Sequence, residues 1–331
     1  MMKRKIKVFA MGGTISAHHE DRLNLSDYES GYYSGEEIAQ AIPEINDIAE
    51  VHIEQLTNVS STLITSNHWL DLRKQINQSL NEEGFDGVVI THGTNTLEET
   101  AYFLHLTVNT EKPVILTGAQ RPLTALSSDA HLNLYNAVKV ASADTAYGKG
   151  VLVVLNDQIN CARDVTKTNT YQLESFQSGE LGCLGFVEPD NTVQFYRSPA
   201  RKHTTHSVFS TIKDKALPHV EIVYSYAGAG GNIIRSLSSS GDVDGIIIAG
   251  TGGGRCSYKE EKAASEAQKK GIQIVMGSRC AHGRVVPLEK YDHLGAPTAD
   301  NLSPQKARIL LMIALSKFQE HTQLQEVFNT Y

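Results

Sequence analysis

Cysteine and excess positive charge are both scarce in this 331-residue sequence, and the two scarcities exclude several classes of protein. The four cysteines lie far apart, without the Cys-X-X-Cys spacing of a zinc site or the density of a small disulfide scaffold. We therefore expect reduced, structural cysteines. The formal net charge is −7, whereas binding to nucleic acid or an anionic membrane needs clustered Lys and Arg, so neither partner is expected.

Long apolar runs and metal-ligand spacing are missing as well. No segment approaches the roughly 18 apolar residues of a membrane span. The basic start runs straight into a short apolar segment, so we expect no signal peptide and a cytoplasmic location, or a periplasmic one if a leader has been removed. The 13 histidines show no His-Glu-X-X-His pattern, and no metal is predicted.

Short apolar segments alternate with helical patterns along the chain, which indicates an α/β fold with a parallel sheet flanked by helices. Two helix starts carry end signals: Thr96-Leu97-Glu98-Glu99 resembles a capping box, and Ser303-Pro304 puts proline at a first helical position. The predicted strands are 5–10, 51–56, 87–91, 113–117, 150–155, 219–224, 245–249 and 272–276, and the clearest predicted helices are 71–81, 96–106, 129–143, 259–270 and 304–318.

The alternation breaks between residues 197 and 218, where Arg, Lys, His, Ser and Thr follow no sustained period. We predict a larger N-terminal catalytic α/β domain over 1–196, a linker over 197–218 and a smaller C-terminal α/β domain over 219–331. The chain ends in a helical pattern, and its last residues are expected to pack.

Two Gly-Thr turns directly follow predicted strands. Gly12-Gly13-Thr14 follows the first strand, and Gly93-Thr94 follows the third. Glycine lets the backbone turn sharply and lets a ligand come close, and the strand ends of a doubly wound sheet converge on one crevice. The first turn alone could be a tight connection with a threonine cap. Because two such turns recur, we predict that the hydroxyls of Thr14 and Thr94 meet over one substrate.

Two further loops carry polar or glycine-rich sequence. Lys167 lies in the polar segment 163–170, and beside a hydroxyl in a crevice it could lower the pKa of that hydroxyl and accept its proton. On its own, such a lysine is usually a surface residue. Residues 250–254 lack the Lys-Ser/Thr ending of a phosphate loop, so we interpret them as a crossover loop that faces a partner subunit's pocket.

Together these segments resemble the bacterial L-asparaginase family, specifically its two-domain type II branch, over nearly the whole chain. The resemblance implies an amidohydrolase with a threonine nucleophile that releases ammonia from a small carboxylate-bearing amide, L-asparagine or a close analogue. It also implies a homotetramer, a dimer of dimers with sites at subunit interfaces, and no cofactor. The matching segments, in the family's order, are 11–15, 91–104, 133–138, 150–154, 164–170, 199–203 and 303–308.

The resemblance assigns roles to single residues. Thr14 matches the nucleophile of a double displacement, in which ammonia leaves and water then hydrolyses the acyl ester. Tyr28, in a flexible lid, matches the tyrosine that interacts with that threonine. Thr94 and Lys167 match a second hydroxyl and its lysine partner, and Ser61 matches a serine that binds the α-carboxylate of the substrate.

Other positions depart from the family. Its aspartate after the second threonine is the neutral Asn95 here, its glutamine after the serine is Thr62, and its asparagine in the Gly-rich loop falls on Gly253. With a one-residue gap, Glu289 matches an acidic residue from a neighbouring subunit. Losing a carboxylate removes a charge-assisted contact of roughly 1.5 to 3 kcal/mol, so we expect weaker or altered recognition of a free α-amino group. Gly93 still offers backbone N–H to a carboxylate or oxyanion.

Three alternatives stay open. Glu289 alone could compensate for Asn95, which would leave an ordinary asparaginase. The chain could instead be a catalytically weak protein that binds or senses a small carboxylate. A transfer RNA amidotransferase subunit related to asparaginases is disfavoured, because such a subunit would be expected to carry an added N-terminal domain.

Overall fold

The chain forms two units in the computed structural model, which describes residues 3–331. The N-terminal unit ends at Thr211 and the C-terminal unit begins at Ile212. The predicted α/β class, with a larger N-terminal and a smaller C-terminal part, is confirmed. Part of the segment 197–218 packs with the N-terminal unit, since Phe209 is buried and Arg73 donates a hydrogen bond to the carbonyl of Ser210. The linker boundaries stay a prediction.

A mixed eight-stranded sheet builds the N-terminal unit. Its strands are β1 (Arg4–Ala10), β2 (Ala49–Gln55), β3 (Gly87–Thr91), β4 (Val114–Thr117), β5 (Val151–Leu155), β6 (Gln158–Cys161), β9 (Gly185–Val187) and β10 (Val193–Phe195), and a separate pair is formed by β7 (Thr166–Lys167) and β8 (Phe176–Gln177). The order in the sheet is β10-β9-β6-β5-β4-β3-β1-β2. Strands β1 to β5, all predicted, pair in parallel, and β6, β9 and β10 extend the sheet in antiparallel fashion.

Parallel pairing brings the ends of β1, β3 and β4 to one edge of the sheet. Every residue of β3 and of β5 is buried, as expected for strands with helices over both faces. Val89 lies beside Val8 on one side and Ile115 on the other, and burying each such side chain contributes about 1.5 to 3 kcal/mol. Because Ala10, Thr91 and Thr117 end neighbouring strands, the loops after them share one crevice.

Five helices accompany this sheet within the described residues: α1 (Gly35–Gln40), α2 (Ile45–Ile48), α3 (Ser66–Asn81), α4 (Leu97–Thr107) and α5 (Ala130–Ala141). The sequence predicted the last three, although α3 begins five residues before its predicted start. The predicted capping box over 96–99 is wrong. Thr96 does occupy the N-cap position, but its hydroxyl donates to the carbonyl of Ser61 at 2.8 Å and caps nothing.

The C-terminal unit has a parallel three-stranded sheet. Its strands are β11 (Val220–Tyr224), β12 (Gly245–Gly250) and β13 (Gln273–Ser278), and its helices are α6 (Asn232–Ser240), α7 (Tyr258–Gln268), α8 (Pro304–Leu315) and α9 (His321–Thr330). Pro304 opens α8 as predicted, and Leu324, Phe328 and Tyr331 are buried, so the last residues pack. Among residues 3–331, no helix has the length and hydropathy to cross a membrane.

Candidate active site

Thr14 lies immediately after β1, in a turn that only glycine permits. Gly12 and Gly13 have φ angles of 91° and 88°, which L side chains rarely adopt. A Cβ on Gly13 would also overlap the Cα of Gly93, because the two Gly-Thr turns touch each other. Thr14 is 8% exposed, and its Oγ1 lies 3.0 Å from the hydroxyl of Tyr28. The turn therefore presents a nearly buried hydroxyl with one phenol partner.

Backbone pairing holds the segment that carries Tyr28. His18 and Glu29 exchange two main-chain hydrogen bonds of 3.0 and 3.1 Å, one residue beyond Tyr28. The side-chain amide of Asn58 donates to the carbonyl of Gly31 at 2.6 Å. These contacts fix the backbone on the C-terminal side of Tyr28, so its hydroxyl can stay on Thr14.

The second hydroxyl, on Thr94, has a lysine partner. Lys167 Nζ donates to Thr94 Oγ1 at 2.8 Å, and Thr94 is buried. Burial lowers the pKa of Lys167, and the carboxylate of Glu98 partly opposes the shift. Glu98 also accepts a hydrogen bond from the Lys167 main-chain N–H at 3.3 Å. A lysine with a lowered pKa is better suited to accept a proton from a hydroxyl or from water.

Thr94 and Tyr28 line the same cavity, which has a volume of about 530 Å³. This size is typical of small-molecule sites. The lining residues are Ser26, Tyr28, Thr94, Asn95, Glu98, Gln120, Lys167, Thr168, Asn169, Thr170 and Tyr171. Because Tyr28 bridges from this lining to Thr14, the structure brings the two predicted hydroxyls to one place.

Ser61 belongs to the scaffold of the second turn, and Thr62 does not line the cavity. Ser61 is 3% exposed, and a Cβ on Gly93 would come within 2.8 Å of its Oγ. Its carbonyl is the one held by Thr96. Thr62 is exposed, and its hydroxyl lies 3.0 Å from that of Ser60.

Three carboxamides also lie in the cavity lining, those of Asn95, Gln120 and Asn169. Asn95 is exposed, and Gln120 is 5% exposed. Among the described residues, Nε2 of Gln120 has no hydrogen-bond partner, although leaving a buried polar group unpaired costs about 1 to 3 kcal/mol. Sequence reasoning missed Gln120. The strand-end rule could have found it, because it follows β4 by three residues at the same sheet edge.

Two of the predicted positions lie in the C-terminal unit. Glu289 is exposed and opens a short 3-10 helix, Glu289–Leu294. Gly253 lies in the loop after β12, which is closed by main-chain pairing of Thr251 with Arg255. Their contribution to a neighbouring subunit's site stays a prediction. Within residues 3–331 no cluster of three or more His, Cys, Asp or Glu could hold a metal ion, and none of the four cysteines forms a disulfide.

Comparison with known families covers almost the whole chain. Residues 5–201 match the N-terminal asparaginase domain, and residues 219–328 match the glutaminase/asparaginase C-terminal domain. The chain belongs to the asparaginase family. The resemblance predicted from its motifs is confirmed, and the protein is an amidohydrolase of the L-asparaginase type.

Individual relatives agree with this membership. The sequence is 44% identical to L-asparaginase 2 of Bacillus subtilis, over 98% of this chain and 86% of the relative. It is 42% identical to L-asparaginase 2 of Escherichia coli, over 98% of this chain and 93% of that relative. The crystal structure of a probable cytoplasmic L-asparaginase from Campylobacter jejuni matches with a TM-score of 0.95 at 39% identity, over 99% of this chain and all of that one.

One buried histidine makes the stability of this asparaginase-family protein depend on pH. His92 is fully buried, and burial lowers its pKa from 6.5 to about 4. Between these values the unfolded chain binds a proton that the folded chain does not, so stability falls as pH falls. We expect His92 alone to remove up to about 3 kcal/mol by pH 4.

The melting temperature, measured between pH 7 and pH 4, checks this expectation. A His92→Gln variant, which cannot titrate there, should show a shallower acid slope than the wild type, whatever its starting stability. Equal slopes for the two proteins would contradict the assignment to His92. Burial also lowers the pKa of His203. This residue therefore reduces the stability of both proteins as pH falls.

Proposed function

We propose that the protein hydrolyses L-asparagine or a close analogue to the acid and ammonia through an acyl-enzyme on Thr14. The observation that carries the proposal is the pair of activated hydroxyls, Thr14 with Tyr28 at 3.0 Å and Thr94 with Lys167 at 2.8 Å. Two relatives are named L-asparaginase 2, and a third, from Pseudomonas fluorescens, is named glutaminase-asparaginase. Those names support an amino-acid side-chain amide as the substrate.

The first half-reaction uses the Thr14 hydroxyl. The Tyr28 hydroxyl takes the proton of Thr14 and gives its own proton to the departing nitrogen, while Oγ1 attacks the amide carbon and the C–N bond breaks. Ammonia leaves and an ester remains on Thr14. Backbone N–H groups of the touching Gly turns stabilise the oxyanion that forms on the carbonyl.

The second half-reaction uses the other pair. Lys167, with its lowered pKa, takes a proton from water through the Thr94 hydroxyl, and that water attacks the ester. The C–O bond breaks, the proton returns to Thr14, and the acid leaves. Each half-reaction thus has its own hydroxyl and its own proton acceptor, and no cofactor takes part.

Charges around the cavity favour a substrate whose amino group is absent, acylated or displaced. Glu98 is the carboxylate in the lining, and it already accepts from Lys167. Asn95 and Gln120 are neutral amides that hydrogen-bond well but do not neutralise an ammonium. A carbonyl oxygen on the substrate's amino end would meet the unpaired Nε2 of Gln120.

A substrate panel tests this selectivity. We expect wild type to hydrolyse succinamate or N-acetyl-asparagine with a kcat/KM at least equal to that for L-asparagine. Asn95→Asp should then raise the ratio of kcat/KM for L-asparagine to kcat/KM for succinamate by about 10- to 100-fold, which is the effect of one charge-assisted contact. Gln120→Met, which keeps the shape and removes the amide, should lower kcat/KM for N-acetyl-asparagine more than for succinamate.

Ammonia release is the readout, and Thr14→Ala sets the background. A micromolar KM of the wild type for free L-asparagine would refute the altered selectivity and leave an ordinary asparaginase. If no panel member turns over but one of them raises the melting temperature, the binding or sensing alternative holds instead.

Assembly and location rest on the resemblance. We propose a homotetramer, a dimer of dimers, in which Glu289 reaches a neighbouring subunit's site. We also propose a cytoplasmic location, because the similar protein from Campylobacter jejuni is described as a probable cytoplasmic L-asparaginase. The relative from Haemophilus influenzae is described as periplasmic, so the family occupies both compartments.

A further inference from the structure

A chain of buried side chains lies beneath the second Gly-Thr turn. Trp69 Nε1 donates to Thr100 Oγ1 at 2.8 Å, and Thr100 Oγ1 lies 2.9 Å from His92 Nε2. His92 Nδ1 lies 2.8 Å from the carbonyl oxygen of Gly93. All three side chains are at most 4% exposed, so water does not compete for these hydrogen bonds.

Chemistry allows only one direction for this chain. An indole N–H can only donate and a carbonyl can only accept. His92 must therefore carry its proton on Nδ1, which donates to Gly93, while its Nε2 accepts from the Thr100 hydroxyl. The oxygen of that hydroxyl is in turn the acceptor for Trp69. Burial keeps the imidazole neutral down to acid pH, since it lowers the pKa of His92 to about 4.

At the His92 end of these hydrogen bonds, the imidazole fixes a peptide group of the candidate active site. The Gly93–Thr94 peptide is planar and trans, so the Thr94 N–H points away from the Gly93 carbonyl that His92 holds. Within residues 3–331 this N–H donates no hydrogen bond. Thr94 lines the cavity and binds Lys167 through its hydroxyl. A carbonyl that accepts a hydrogen bond also makes the N–H of the same peptide a stronger donor.

Gly93 contributes no side-chain contact that could hold this peptide in place. It has no side chain, it touches Gly13 directly, and its neighbours leave no room for a Cβ. A rotation of the Gly93–Thr94 peptide would therefore move the Thr94 N–H and disturb the turn that carries Thr14. The hydrogen bond between His92 Nδ1 and the Gly93 carbonyl opposes such a rotation, together with the close packing around Gly93.

We propose that Trp69, Thr100 and His92 are positioning residues that hold the Gly93–Thr94 peptide so that the Thr94 N–H donates to an oxygen of the bound amide. The inference rests on the proposed hydrolysis, because the N–H is useful only if an oxyanion or carboxylate lies in the cavity. It adds three residues to that site, none of which lines the cavity.

The matched pair Thr100→Val and Thr100→Ser tests the proposal. Valine keeps the shape and removes the hydroxyl, whereas serine keeps the hydroxyl. We expect Thr100→Val to lower kcat about 10- to 100-fold with little change in KM, somewhat less than the loss of an oxyanion donor outright. Thr100→Ser should stay within about threefold of wild type, because the hydrogen bonds to His92 and Trp69 persist. Trp69→Phe removes only the indole N–H that donates to Thr100, and its kcat should lie between those of Thr100→Val and Thr100→Ser.

Neutron diffraction of deuterated crystals gives a second readout that does not depend on activity. Deuterium on Nδ1 of His92 and none on Nε2 is the expected result, and the opposite tautomer would overturn the chain. A Thr100→Val variant that melts lower but keeps wild-type kcat would show a purely structural network and overturn the positioning role. If wild type has no turnover on any amide, the proposed hydrolysis fails and the positioning role fails with it, even where neutron diffraction shows the expected tautomer.

Discussion

Replacing Thr14 with alanine is expected to lower kcat for ammonia release by at least about 10³-fold while the protein keeps its fold. The hydroxyl is the nucleophile in the proposed first half-reaction, whereas the other hydroxyl of that turn, on Ser16, donates to the Gly13 carbonyl at 2.9 Å. Thr14→Ser is the matched control, because it keeps the hydroxyl and loses only a methyl group. We expect the serine variant to retain activity within about two orders of magnitude of wild type.

Trapping the intermediate separates the two hydroxyls of the site. Hydroxylamine should divert the acyl-enzyme to a hydroxamate in the wild type and yield none in Thr14→Ala. Mass spectrometry of the quenched wild-type enzyme should place the acyl group on the peptide that contains Thr14. An acyl group on Thr94 instead would reverse the proposed order, and a Thr14→Ala variant with a tenth of wild-type turnover would contradict the nucleophile assignment.

Sequence patterns predicted the fold where apolar runs are long and regular. Strands β3 and β5, with every residue buried, follow the apolar runs from Val88 and from Val151. The antiparallel strands β6, β9 and β10 were not predicted, because these segments of three or four residues lack the run of three apolar residues that marks the equally short β4. Helix α6 was not among the clearest predicted helices, because it ends in three serines, which favour turns as much as helix; in the structure it packs against α7.

The site was predicted in part, for a physical reason. Thr14 and Thr94 follow strands at one edge of the sheet, so topology alone indicates that they meet. The role of Tyr28 came from the resemblance to a known family, whereas that of Lys167 was argued from its polar loop and matched by the resemblance. The structure gives both residues partners. Sequence reasoning assigned no role in the site to Glu98, which accepts a hydrogen bond from the Lys167 main-chain N–H.

Contacts distant in sequence explain what sequence reasoning missed. Trp69 meets Thr100 across 31 residues, a spacing without a sequence signature, whereas Gln120 follows a strand end and the strand-end rule could have found it. The three departures from the family, at Asn95, Thr62 and Gly253, were by contrast visible in the sequence. Asn95 is a neutral residue in the lining of the cavity, which also includes Thr94 and Lys167.

Lys167 is expected to act as a proton acceptor, and its removal should have an effect second only to that of Thr14. Lys167→Met should lower kcat by about 10³-fold with a smaller change in KM, because the lysine contacts Thr94 and acts in the reaction. Lys167→Arg keeps a positive charge but cannot lose its proton in the accessible pH range. We therefore expect the arginine variant to lose nearly as much kcat as the methionine variant.

The pH dependence follows from the sign of the pKa shift. Lysine accepts a proton only when it is neutral, and burial lowers the pKa of Lys167, so kcat should rise with pH and level off below the ordinary pKa of lysine. Glu98 raises the pKa of Lys167, so Glu98→Gln should move this rise to lower pH. The profile of the wild type beside that of Glu98→Gln measures both effects. If Lys167→Arg instead keeps wild-type kcat, the lysine contributes only its charge, and the water of the second half-reaction must lose its proton to another group.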